Sequence, residues 1–147
     1  MAAKAYDENN VFAKILRGDM PAHKVREDEH TLAFMDIMPR ADGHCLVIPK
    51  APVRTLVDAD DETLARVAAA SREVARAAME AFDADGITIQ QFNEPAGGQV
   101  VFHYHVHVIP RHEGVPMRPH TGEMADQDDL ARWAEQLRTA LEQGDAT

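Results

Sequence analysis

Residues 103–109 read His-Tyr-His-Val-His-Val-Ile, three histidines in strict alternation within an apolar run. In a β-strand successive side chains point to opposite faces, so the pattern predicts His103, His105 and His107 on one face and Tyr104, Val106 and Val108 on the other. A helix would scatter them. Three imidazoles on one face of a half-buried strand bring many ring nitrogens that must find partners. The chain can fold in this way only if the strand lines a polar groove or a site that uses those nitrogens.

The rest of the chain places that strand in one α+β domain spanning residues 1–147. With 147 residues, 45% apolar content and only 5% aromatics, the sequence supports one modest core of aliphatic and alanine side chains. Asn9 and Asn10 can cap a short helix whose apolar positions are Val11, Phe12, Ile15 and Leu16, with Gly18 as its stop. His23–Glu29 and Thr31–Ile37 look like strands, and Leu32, Phe34 and Asp36 share a face of the second. Pro39-Arg-Ala-Asp-Gly43 reads as a turn, and His44–Ile48 as a third strand ended by Pro49. Helical spacing of Leu64, Val67, Val74, Ala78 and Phe82 predicts one long amphipathic helix from about residue 60 to 82. A strand over Ile87–Asn93 then leads through Glu-Pro-Ala-Gly-Gly-Gln to the histidines, so a glycine loop opens beside them. Leu130, Trp133, Leu137 and Leu141 predict a last helix over about 127–142, with Trp133 as a docking residue.

Charge and cysteine usage exclude several classes. A net charge of −10 without a visible Lys/Arg cluster argues against a nucleic-acid surface. A single mononucleotide is still compatible, because backbone N–H groups and imidazoles can hold one phosphate. The acidic runs at 58–62 and 126–129 read as helix caps. Cys45 is the only cysteine, which excludes an intrachain disulfide and a multi-thiolate zinc site, and it reads as a small buried hydrophobe. No apolar stretch approaches the roughly 18 residues needed to span a bilayer, and the opening residues lack a secretory layout. The expectation is a cytoplasmic protein without a membrane partner.

Three chemistries fit the histidine run. In a metal site, a straight strand separates same-face neighbours by about 6.6 to 6.8 Å, too far for one zinc to reach all three, so a two-histidine site would recruit His44 or Asp36. In a structural groove, the imidazoles would only line a polar surface. In covalent catalysis, one neutral imidazole attacks phosphorus while its neighbours orient it and protonate the leaving group. His105, flanked on both sides, is then the best nucleophile, and the glycine loop can point N–H groups at the same phosphate.

His103-Tyr-His105-Val-His107-Val-Ile resembles the signature of the histidine triad family. The likeness extends over about residues 8–112, through Asn10-Val-Phe-Ala-Lys-Ile, Ala33-Phe-Met-Asp-Ile-Met-Pro, Gly43-His-Cys-Leu-Val-Ile-Pro-Lys, Asn93-Glu-Pro-Ala-Gly-Gly-Gln and Ile109-Pro-Arg. It is nearest to the bacterial members of the Hint branch of nucleoside phosphoramidate hydrolases. The Ile-Pro-Arg ending also resembles the dinucleoside polyphosphate hydrolases of the Fhit branch. The resemblance implies a homodimer, each protomer with a five-stranded antiparallel sheet and two principal helices, the sheets joining across the dimer. It further implies metal-independent hydrolysis of purine nucleoside 5′-phosphoramidates, AMP or GMP conjugates, through a nucleotidyl-histidine intermediate and without a cofactor.

By position His105 matches the nucleophile, His107 the histidine at the α-phosphate and leaving group, and His103 and His44 the supporting histidines. Asp36 matches the carboxylate that accepts the ribose hydroxyls. Phe34, Ile37, Phe12 and Ile15 match the apolar slot around the base, and Asn93, Gly98 and Gln99 the loop along the phosphate. Val100 stands where animal Hint enzymes carry a serine that contacts the leaving group, and it cannot donate a hydrogen bond. Some bacterial relatives hold a structural zinc partly through cysteines near the first helix. Here Asn9-Asn-Val-Phe-Ala-Lys has none, so no metal is expected. His112 and His120 are further candidate phosphate contacts from the C-terminal segment.

Overall fold

The computed structural model describes residues 5–119 and 122–145, so His120 lies outside the described residues. The chain runs α1 (Val11–Arg17), β1 (Lys24–Glu27), β2 (Thr31–Met35), β3 (Cys45–Pro49), α2 (Asp61–Ala81), β4 (Gly86–Gln90), β5 (Val106–Arg111) and α3 (Gln127–Asp145). The five strands form one sheet in the order β1-β2-β3-β5-β4, every neighbouring pair antiparallel. The fold is therefore α+β, as the sequence indicates, with three α-helices.

Caps set the helix limits. Asn10 accepts from the Ala13 N–H at the start of α1, and Gly18, at φ 84°, closes its end. Asp60 accepts from the Thr63 N–H at the start of α2, where Asp61 and Glu62 occupy the first turn. Asp126 accepts from the Asp128 N–H at the start of α3. The acidic runs thus place negative charge at helix N-termini, where the backbone dipole favours it.

The two-residue period divides the core between the faces of the sheet. Leu32, Phe34, Leu46 and Ile48 face α1 and pack with Phe12 and Ile15. Ala33, Met35, Cys45 and Val47 face the other way and pack with Val67 and Val74 of α2 and Leu130, Trp133 and Leu137 of α3. Both faces of the central strands are covered, so β2 and β3 are buried throughout. At about 1.5 to 3 kcal/mol for each fully buried large aliphatic side chain, the thicker layer on the α2/α3 face carries most of the stability. The α1 face carries less, and it is the face where the histidines gather.

Several boundaries differ from those read in the sequence, and one difference matters. His103 and His105 are not strand residues, because β5 begins only at Val106. Their backbone is committed elsewhere: the Tyr104 N–H donates to Val53 O at 2.7 Å, and the His103 carbonyl accepts from the His105 ring at 2.6 Å. Neither group is available to the ladder. The expected strands at 23–29 and 87–93 shorten to Lys24–Glu27 and Gly86–Gln90, and His44 lies just before β3.

Candidate active site

Register assembles the site. Phe34 pairs with Leu46, Leu46 with His107, and His107 with Gln90, so these four residues form one row across β2, β3, β5 and β4 on the α1 face. One step beyond the end of β2, the Asp36 N–H donates to His44 O at 3.0 Å, which continues the pairing and brings Asp36 and His44 beside His107. His44 Nε2 lies 2.9 Å from His107 Nδ1. It lies 3.5 Å from Asp36 Oδ2, which is 4.0 Å from His107 Nδ1. The ring centroids of His105 and His107 are 5.0 Å apart. The structure thus brings together the four histidines singled out in the sequence.

Backbone partners fix the proton on each ring. A carbonyl can only accept, so His105 Nδ1, 2.6 Å from His103 O, carries hydrogen, and the ring lone pair of the neutral form lies on Nε2. His103 Nε2 likewise donates to Pro49 O at 2.8 Å. Its Nδ1 accepts from the Tyr6 hydroxyl at 2.6 Å. The Arg40 N–H donates to His44 Nδ1 at 3.0 Å, which places the His44 proton on Nε2. That proton points to His107 Nδ1, so the remaining proton of a neutral His107 sits on Nε2. The result is one imidazole whose unprotonated nitrogen is Nε2 next to another that carries its proton on Nε2.

Burial sets the charge state. Loss of water drives His103 down to about 4, despite its bond to Pro49 O, so it remains neutral at pH 7. Burial raises Asp36 to about 6, against the opposing bond from the Met38 N–H. Burial also raises the Cys45 thiol, which stays protonated.

An apolar cleft of about 230 Å³ leads to His105. Phe12 and Ile15 of α1, Phe34, Asp36 and Ile37 from the second strand and its exit, and Gly98 and Val100 from the glycine loop all line it. Met20, Pro21, Ala22 and Met38 also line it and were not singled out, because isolated apolar residues in turns carry no distinguishing pattern. No lysine or arginine is among the lining residues. Asn93 and Gln99 do not line this cleft. Asn93 accepts from the Leu56 N–H at 2.8 Å, and Gln99 spans Glu94 N, Arg54 O and Val101 O. Their side chains shape the loop. His112, on the surface, bonds Phe82 O at 3.0 Å. Tyr6 and the Arg40 amide, which complete the tautomer chain, could not be found in the sequence, since their role depends on contacts made across the fold.

Asp36, His44 and His107 each offer a ligand atom within 4.8 Å of one another, the only such cluster among the described residues. The distances suit a metal, but the protonation does not. With Nδ1 occupied by the Arg40 N–H, coordination through His44 Nε2 would remove the last ring proton or break that bond.

These features define a class: one antiparallel sheet whose thinner face carries an imidazole cluster with fixed protons at the end of an apolar cleft. The HIT domain matches residues 17–114, and the chain belongs to that histidine triad family. It is 44% identical to Protein hit of Bacillus subtilis over 105 residues, covering 71% of this chain and 72% of that protein. It is 37% identical to the adenylylsulfatase HINT3 of Arabidopsis thaliana over 103 residues, covering 70% of this chain and 52% of that protein. A Hit-like protein of Bartonella henselae involved in cell-cycle regulation superimposes with a TM-score of 0.89 at 49% identity, covering 93% of this chain and 99% of that one. A zinc-bound histidine triad protein of Mycobacterium smegmatis gives 0.82 at 40% identity, covering 94% and 96%. A histidine triad nucleotide-binding protein of Sulfolobus tokodaii gives 0.83 at 30%, covering 90% and 91%.

Proposed function

We propose that the protein is a metal-independent hydrolase of purine nucleoside 5′-phosphoramidates that acts through a nucleotidyl-histidine intermediate, as a cytoplasmic homodimer. The observation that carries this reading is the His105 tautomer: its Nδ1–H is held by the His103 carbonyl, which leaves Nε2 as the unprotonated nitrogen of a residue that lines the apolar cleft. The base would enter the slot of Phe12, Ile15, Phe34 and Ile37, with the ribose hydroxyls on Asp36. His105 Nε2 attacks the α-phosphorus and the P–N bond breaks. His107 Nε2–H gives its proton to the departing amine, and His44 holds the opposite edge of that ring. Water then attacks the His105–phosphorus bond and gives a proton back to His107 Nε2, releasing AMP or GMP and restoring both imidazoles. The expected N–H contacts from the glycine loop to the phosphate are not made by Gly97, Gly98 or Gln99, whose N–H groups donate to the Glu94 and Pro95 carbonyls.

The likeness to an adenylylsulfatase favours a second reading, in which the same adenylyl group is transferred from sulfate instead of an amine. A dinucleoside polyphosphate would present the same phosphorus. The test is AMP release from adenosine 5′-phosphoramidate, adenylylsulfate and a dinucleoside polyphosphate by EDTA-dialysed protein, with His105→Ala in parallel. Fastest release from the phosphoramidate by the parent alone is expected. Near-normal turnover by His105→Ala refutes the mechanism, and a different preferred substrate reassigns the leaving group.

A further inference from the structure

The glycine loop between β4 and β5 is held in an unfavourable shape, and one residue from a distant segment grips both of its ends. Glu94 has φ 64°, a left-handed conformation that a side-chain-bearing residue adopts at a cost. Its carboxylate forms a bidentate pair with Arg54, 2.9 Å to Nε and 2.8 Å to Nη2. The Arg54 side chain is only 12% exposed. At the far end of the loop, the same guanidinium lies 4.2 Å from the centroid of the Phe102 ring, immediately before His103. Between these ends, Gln99 accepts from the Glu94 N–H at 2.7 Å and donates to the Arg54 carbonyl at 2.8 Å. Gly98, at φ 96°, packs against Phe92 and lines the cleft.

We propose that Arg54 is a positioning residue for the reaction: by clamping Glu94 and Phe102 together it fixes the backbone of residues 94–102 against the phosphate and sets where His103 and His105 stand. It touches neither the cleft nor the reacting atoms, and it acts through Glu94. A lysine cannot replace it, because the bidentate fork and the stacking on Phe102 both need a planar guanidinium. A misplacement of about 1 Å in such a loop costs on the order of a hundredfold in rate. The base and ribose contacts of Phe12, Ile15, Phe34 and Asp36 lie outside the clamp, so the loss should fall more heavily on kcat than on AMP affinity.

This inference rests on the proposed hydrolase activity for its rate readout, and its structural readout is independent of that activity. The experiment compares Arg54→Gln, Arg54→Lys, Glu94→Gln and the Arg54→Gln/Glu94→Gln double variant with the parent. It reads kcat and KM on adenosine 5′-phosphoramidate, AMP affinity, thermal melting and amide exchange of residues 94–102. The expected result is a fall in kcat of about ten- to a hundredfold in each single variant, including the lysine one. AMP affinity should fall by less than kcat, melting should be close to the parent's, loop exchange should be faster, and the double variant no slower than either single one. Glu94→Gln, which keeps the shape of the side chain, covers the case in which Arg54 variants fail to fold. Unchanged kcat and unchanged loop exchange overturn the proposal, as does a rate loss that only tracks the unfolded fraction. If the parent itself releases no AMP, the functional reading fails, and the clamp stands or falls on loop exchange.

Discussion

Replacing Asp36 with Asn should stabilise the protein at neutral pH while removing the carboxylate proposed to hold the ribose. Burial raises the Asp36 carboxyl from 3.8 to about 6, so the native state holds on to its proton more tightly than the unfolded chain does. Between those values the native state binds more protons than the unfolded state, and stability falls as pH rises. At 1.36 kcal/mol per pH unit, the charged carboxylate costs the native state about 3 kcal/mol above pH 6. The side chain is 18% exposed, so solvent relieves little of that cost. Asn keeps the oxygen that accepts from the Met38 N–H and carries no charge. Asp36→Asn should therefore exceed the parent by up to about 3 kcal/mol at pH 8, with the gain shrinking through pH 6 and gone near pH 4. Urea unfolding followed by fluorescence of the buried Trp133, at intervals from pH 4 to 8, measures this directly. His103, whose value is lowered to about 4, drives the opposite trend, so the diagnostic is the difference between variant and parent. A gap that stays constant across the range, or a parent more stable at pH 8, refutes the reasoning.

His107→Asn should slow release of an amine from the phosphoramidate by about 10²- to 10⁴-fold, and slow sulfate release from adenylylsulfate far less, because sulfate leaves without a proton; equal losses on both substrates would remove His107 as the proton donor. With no cationic side chain lining the cleft of a chain of charge −10, raising salt from about 10 to 100 mM should leave KM unchanged or lower it, as screening shortens from about 30 to 10 Å. A severalfold rise in KM would show that a lysine or arginine binds the phosphate. Gly43→Ala should cost about 1 to 3 kcal/mol in chemical denaturation, since φ is 87° and the new Cβ would lie 2.8 Å from Phe82 Cδ2 and Cζ; an unchanged midpoint would show that the turn relaxes freely.

Much of the fold was legible because it depends on short-range rules. The alternation of Leu32, Phe34, Leu46 and Ile48 against Ala33, Met35, Cys45 and Val47 can be read as a two-sided sheet, and the caps at Asn10, Asp60 and Asp126 mark the helices that cover it. The cleft residues were legible only through the family's motifs, since Phe12 lies on α1 and Asp36 just past β2, and it is the packing of α1 on the sheet that brings them to one cleft. Asn93 and Gln99 match the family's phosphate loop by motif position, which does not reveal whether a side chain bonds a ligand or its own backbone. The same limit hid Arg54, whose partners Glu94 and Phe102 lie far along the chain and are joined to it by hydrogen bonding and stacking without any periodic signal.

The histidine spacing is the instructive case, because alternation was a sound signal with a different physical basis. Only His107 owes its direction to the sheet, through its pairing with Leu46 and Gln90. His105 stands two residues from His103 because its Nδ1–H must reach the His103 carbonyl, a bond that takes that carbonyl out of any ladder. His103 in turn is fixed by Pro49 O and Tyr6, which act on the ring and not on the strand. A spacing of two thus serves a local imidazole-to-carbonyl bond at one step and strand register at the next. Together these keep three rings close while giving each a different proton assignment, which a regular strand face would not do. The irregular backbone at 103–105 is therefore what allows chemically identical side chains to take the unequal roles proposed for them, support, nucleophile and proton donor.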